Sequence, residues 1–156
     1  MPRIVTDTMA YTNQCALKYD VYGEELRNSY LFQDLKESFL RQLSNSISPV
    51  MFFPGNYIVQ HGDSDQSMYF VHRGQVDVLT VHPNLTETIH DVLHSGEMFG
   101  LPQGLFYGIP HHFSYRARTT VDIGVLQLKD WTDIMILFPR AKEVIYKRAL
   151  AIYTIL

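Results

Sequence analysis

Over residues 21–47 apolar side chains return at helical spacing. Phe32, Leu35, Phe39, Leu40, Leu43 and Ile47 fall at steps of three, four and seven, with Lys36, Glu37, Arg41 and Gln42 on the opposite side. The spacing predicts a helix over 36–46, with Asp34 placed to cap its start, and a shorter helix over 22–28. The residues before position 21 are polar and aperiodic and read as a flexible segment. Pro49 closes the helical stretch, and the period changes from helical to alternating.

Strands then follow one another at short intervals. Val50–Phe53 and Tyr57–Gln60 flank a Pro54-Gly55-Asn56 turn, and 68–72 and 75–82 flank Arg73-Gly74. In the second of these pairs Val76, Val78 and Thr80 face one side, with Asp77, Leu79 and Val81 on the other. Pro83-Asn84 turns the chain into 87–93, and two more strands are expected over 112–119 and 122–128. Between them, residues 99–110 carry Gly100, Gly104 and Gly108 with Pro102 and Pro110, which no regular strand tolerates. Helical spacing returns over 129–138, and Pro139 opens a last helix over 140–156. The plan is one domain: a helical lead-in at 21–48, an eight-stranded antiparallel jelly-roll barrel at 49–128 with a Gly-rich cassette at 96–112, and two C-terminal helices at 129–156.

Composition narrows the function classes. With 46% hydrophobic residues and 20 aromatics (10 Tyr, 9 Phe, 1 Trp), the chain is no disordered or fibrous sequence. Its single cysteine, Cys15, allows no internal disulfide. A net charge of −3 offers no global attraction to nucleic acid, although the C-terminal third is mildly basic. No apolar run is long enough to span a bilayer, and the N-terminus lacks a secretory core, so a cytoplasmic setting is expected.

Five segments carry a family resemblance. They are Tyr30-Leu31-Phe32-Gln33-Asp34-Leu35 with Phe39-Leu40; Phe53-Pro54-Gly55-Asn56-Tyr57-Ile58-Val59 with Gly62; Met68-Tyr69-Phe70-Val71 with Gly74, Val76 and Val78-Leu79; Gly96-Glu97-Met98-Phe99-Gly100; and Leu128-Lys129-Asp130 through Phe138-Pro139. In this order they resemble the cyclic-nucleotide-binding domain, particularly that of hyperpolarisation-activated and cyclic-nucleotide-gated channels. Residues 16–30 also resemble the end of the linker that joins such a domain to a channel pore. The resemblance implies a regulatory module that binds cAMP or cGMP through the cassette, using backbone N–H groups for the phosphate. It further implies an arginine on the phosphate, a glutamate directly after Phe-Gly on the ribose hydroxyl, and a terminal helix closing over the base.

The cassette departs from that pattern. After Phe99-Gly100 stands Leu101, followed by Pro102, which has no N–H to give. Aligning Arg116-Ala117 with the family's strand puts His111 at the arginine and His112 beside it. Each missing charge-assisted contact is worth about 1.5–3 kcal/mol, so losing two weakens affinity roughly 10²–10⁴-fold. Leu101, Leu105, Phe106 and Phe113 are candidates to fill the barrel mouth instead. Channels of the ether-à-go-go type, which keep the fold without using the nucleotide, resemble this case. The expected ligand region is therefore Phe99, Gly100, Leu101, His111 and His112, with Ile145, Arg148 and Ile152 as the lid, and cAMP or cGMP as a weak ligand at most.

Other readings of the same residues carry less. His90, His94 and Glu97 loosely resemble a cupin metal set, but the two histidines are four apart rather than two, so locally hydrogen-bonded side chains are expected and no metal. Arg116 and Arg118 are expected as outward strand residues or partners of Asp122. Tyr69, Tyr107, Phe113 and Tyr115 are expected in the core rather than stacked on a base. No nucleophile has a base beside it, and no Walker-type or dinucleotide motif is present, so no enzyme is expected. Because the chain stops at Leu156, a following helix-turn-helix is not part of the plan. The expected function is a non-catalytic regulatory module from a channel-like host, acting on host domains or on itself through the terminal helix. The competing expectation is a working cAMP or cGMP sensor with an unusual cassette.

Overall fold

The computed structural model describes residues 18–101, Leu105 and 109–153. The chain falls into two compact units. One runs from Ser48 to Trp131 and is built of strands; the other comprises the chain through Ile47 and from Thr132 onwards and is helical.

The strand unit holds β1 (Ser48–Phe52), β2 (Tyr57–Val59), β3 (Met68–Arg73), β4 (Val76–Val81), β5 (Glu87–Leu93), β6 (Met98–Phe99), β7 (Ser114–Ala117) and β8 (Val121–Leu126). They form two antiparallel four-stranded sheets, ordered β1-β8-β3-β6 and β2-β7-β4-β5. That order is a double-sheet jelly roll, as the sequence pattern implied. Val59, Tyr69, Val71, Val76, Phe99, Ala117, Val121 and Ile123, contributed by both sheets, form a single buried cluster. β6 is short because Gly100 follows it at φ +78°. Burial in β4 does not alternate, because both of its faces are covered: Val76, Asp77, Val78 and Leu79 are all buried. The register against β5 shifts between Val78 and Leu79, a bulge that turns successive side chains out of strict alternation.

In the helical unit the described part of α1 covers 18–28, longer than the 22–28 expected, and α2 is Glu37–Ser46. The helix α3 (Leu128–Leu137) carries the chain across the division at Thr132, and α4 (Pro139–Tyr153) begins at its proline. Phe39, Leu40 and Leu43 bury one face of α2, and the Phe39 ring meets Phe138 edge-on at 5.4 Å. Asp34 does not cap α2. It sits in a turn at φ 61°, while Lys36 occupies the N-cap position without a side-chain cap. The turn closes on Ser29, whose carbonyl accepts from the N–H groups of Phe32 and Gln33. From α4, Arg148 donates to the carbonyls of Tyr30, Leu31 and Gln33 at 3.3, 3.2 and 2.6 Å. Ile145 is fully buried and Ile152 half-buried. No helix among the described residues is long and apolar enough to cross a membrane.

Candidate functional site

The cassette begins where β6 ends. Tyr69 of β3 stacks on Phe99 at 4.8 Å with the ring planes 8° apart, and Phe99 stacks on Tyr115 of β7 at 4.3 Å and 15°. The three rings join both sheets beneath the cassette. Burial pushes the Tyr115 hydroxyl above its usual range. Gly100 then passes so close to the loop before β3 that a Cβ would lie 2.7 Å from the Ser67 carbonyl oxygen. Leu101 is helical and half-buried, and Leu105 is helical and buried.

The loop over 60–67 grips the far end of the cassette as well. The Gly62 N–H donates to the His111 carbonyl at 2.9 Å, and the His111 N–H to the Asp63 carbonyl at 3.3 Å. The His111 ring is 1% exposed, lies edge-on to Tyr115, and its Nε2 is 3.0 Å from the Asp65 carbonyl oxygen. Asp65 in turn accepts the Ser67 N–H at Oδ1 and the Tyr69 hydroxyl at Oδ2. Burial works against the charge on Asp65, but the Tyr69 hydroxyl and the Ser67 amide hold its carboxyl below the usual range, helped by the nearby imidazole. Burial, and then the Asp65 bond, push the Tyr69 hydroxyl far above its usual range.

The sequence-derived candidates thus part company. Phe99, Gly100 and His111 belong to one network tied through Asp65 and Ser67, whereas His112 is exposed. Phe113 does not fill a barrel mouth: it is 37% exposed and its ring lies 5.0 Å from that of His90, because the chain at 112–113 bends outward before β7. Phe106 and Tyr107 lie outside the described residues, as does Cys15. Asp65 was missed, since nothing in a Gly-Asp-Ser-Asp loop distinguishes the residue that reaches back to a tyrosine.

Arg116 and Arg118 do not partner Asp122. The β4–β7 register sets Arg116 opposite Asp77, whereas Asp122 lies in the other sheet opposite Met51 and Arg73. Asp77, 4% exposed, is therefore held by Arg116 at 3.5 Å and Arg118 at 3.2 Å, and Arg116 also binds Glu87 at 2.7 Å. That contact holds the Glu87 carboxyl below its usual range. His90 pairs with the Thr80 hydroxyl at 2.7 Å, His94 lies 3.4 Å from the Gln75 amide, and Glu97 accepts the His94 N–H. Among the described residues no three His, Cys, Asp or Glu side chains gather as metal ligands do.

The family model described as the cyclic nucleotide-binding domain matches residues 49–136. The chain belongs to this family. Curated relatives of the cyclic nucleotide-binding domain family include the potassium channel KAT1 of Oryza sativa subsp. japonica, 25% identical over 116 residues, covering 74% of this chain and 16% of the channel. The cyclic nucleotide-gated channel alpha-3 of Homo sapiens is 25% identical over 134 residues, 83% of this chain and 19% of the channel. The chain thus spans less than a fifth of these channels. Among solved structures, the N-terminal domain of a transcriptional regulator from Streptomyces coelicolor A3(2) superposes with a TM-score of 0.74 at 24% identity, over 81% of this chain and 88% of that one. The regulatory domain of Toxoplasma gondii PKA with cAMP gives 0.67 at 21% identity, over 76% of this chain and 44% of that one. The regulatory subunit of a cAMP-independent protein kinase A from Trypanosoma brucei gives 0.69 at 20%, over 88% of this chain and 48% of that one. These structures share the fold.

Proposed function

We propose that this chain is a non-catalytic regulatory module of the cyclic-nucleotide-binding type whose cassette has lost its grip on the nucleotide, so that cAMP and cGMP bind weakly or not at all. The observation that carries the proposal is His111. The side chain at the position the family gives to a phosphate-binding arginine is turned inward, with Nε2 spent on the Asp65 carbonyl. Leu101, where the family has a glutamate, offers the ribose no acceptor. Fold alone does not decide nucleotide use, since it occurs in a regulatory domain named with cAMP and in the subunit of a kinase named cAMP-independent. The channel relatives support a channel-like host with the module in the cytoplasm. The terminal helix, with Ile145, Arg148 and Ile152, is the element through which the module acts on host domains or on a second copy.

Membership of the family favours one competing reading, a working sensor with an unusual cassette. Titration calorimetry with cAMP and cGMP up to about 1 mM separates the two. We expect heats too weak to saturate. Saturation at low micromolar concentration overturns the proposal in favour of the sensor.

A further inference from the structure

The helical unit holds a cavity of about 300 Å³, lined by none of the cassette residues. It lies between the turn at 34–36, the start of α2 and the junction of α3 with α4. Its deepest lining is Phe39 and Ala141, both buried, and Leu35, Phe138 and Val144 around them are half-buried. All five are apolar, so water inside finds few partners. Three charged residues that line the cavity, Asp34, Lys36 and Arg140, are exposed and therefore stand at its edge. Among the described residues none of the three makes an ion pair, whereas Arg41, Arg116 and Arg118 are each bound to a carboxylate.

Two cations against one carboxylate leave a single positive charge in excess at the edge of an apolar hollow. The complement is a molecule with an apolar body and one negative charge. At the roughly 30 Å³ that a water occupies in the liquid, the cavity has room for on the order of ten heavy atoms, the small end of the range for ligand clefts. We propose that this cavity is a binding site for a small apolar monocarboxylic acid, whose carboxylate is held between Lys36 and Arg140. The guanidinium of Arg140 offers a planar pair of donors to a carboxylate, and Lys36 adds a compact charge. Asp34 sets the limit on charge, since a phosphate monoester would bring a second negative charge toward its carboxylate. Because α2 and the start of α4 both line the cavity, a bound acid braces one helix against the other.

Calorimetry of the whole chain near pH 7.5, where a carboxylic acid is fully ionised, tests it with octanoate, octanol and octyl phosphate. We expect octanoate to saturate one site with a dissociation constant of about 0.1 mM. Octanol, with the same chain and no charge, should bind roughly tenfold more weakly, and octyl phosphate no tighter than octanoate. Lys36→Gln and Arg140→Gln, both at exposed positions, should each weaken octanoate roughly threefold. Together they should abolish its advantage over octanol and leave octanol binding unchanged, which a merely structural role for the two residues would not do. Added cAMP at about 1 mM should leave octanoate affinity as it is. Failure of octanoate to saturate, equal wild-type affinities for octanoate and octanol, or a double variant that keeps the preference overturns the proposal. So does competition by cAMP, which would put the acid in the cassette, and tighter binding of octyl phosphate, which would exclude a site built for one charge. Val144→Trp fills the cavity and should remove binding of both octanoate and octanol; a folded variant that still binds octanoate counts against the site. Should that variant fail to fold, NMR of the wild type decides. Octanoate must then shift the methyl signals of Ala141 and Val144, and unmoved signals sink the assignment.

Discussion

Gly100 stands at the point where the chain leaves β6, and two constraints meet there. Its φ of +78° strains any residue with a Cβ, and that Cβ would press on the Ser67 carbonyl at 2.7 Å and the Tyr69 ring at 3.2 Å. We expect Gly100→Ala to destabilise the fold by about 1–3 kcal/mol, read from the urea midpoint; an unchanged midpoint would mean the loop yields freely. Asp65 makes a pH-dependent contribution. Its carboxyl is depressed in the folded state relative to the unfolded chain, so the stabilisation is complete above the ordinary carboxylate range, about pH 4, and disappears as pH falls through the lower folded value. Asp65→Asn should therefore flatten the acid limb of a stability–pH curve and leave its slope above about pH 6 untouched. A variant with the wild-type acid limb would remove Asp65 from that role. At this scale Phe99-Gly100 was legible in the sequence, since the motif is contiguous. Asp65 was not, because its partners are chosen by the path of the loop.

Among the elements, β7 sets one arginine between two carboxylates. Arg116 bridges Asp77 and Glu87 and lies over the Tyr57 ring at 5.9 Å. Removing it leaves the buried Asp77 carboxylate with Arg118 alone, whose side chain is 48% exposed. Arg116→Ala should cost about 1–3 kcal/mol in chemical unfolding, less than an outright orphaned buried charge because one partner remains. Arg118→Ala should cost less, and the reverse order would contradict the geometry. In α4, Arg148 ties the helix to the 30–33 turn by three carbonyl contacts. Arg148→Met keeps the aliphatic stem but loses the donors, with an expected loss of about 1.5–3 kcal/mol; a variant as stable as wild type would free Arg148 for a role on a ligand. The helix spacing showed that Arg148 lies on the buried side of α4. It did not show that the guanidinium serves the turn of its own unit, because backbone acceptors have no sequence signature.

For the molecule as a whole, ligand linkage sets a simple scale. A site with a dissociation constant near 1 mM gains about 0.4 kcal/mol from about 1 mM cAMP, a shift of the thermal midpoint of roughly 1–2 °C for a chain of this size. A low-micromolar site would shift it by several times that amount. We expect the smaller figure near pH 7.5, read by differential scanning fluorimetry. The order of elements, the jelly-roll plan with flanking helices and the family were already written in the sequence. Those features depend on local periods, on Gly and Pro at turns, and on short contiguous motifs that survive reading in one dimension. The setting of His111 and the partners of the strand arginines were decided only in three dimensions. Whether His111 faces a ligand or the protein depends on a carbonyl 46 positions away, and the pairing of Arg116 and Arg118 with Asp77 depends on which strand lies beside β7. Both follow from packing and register, which bring together residues that no spacing along the chain connects.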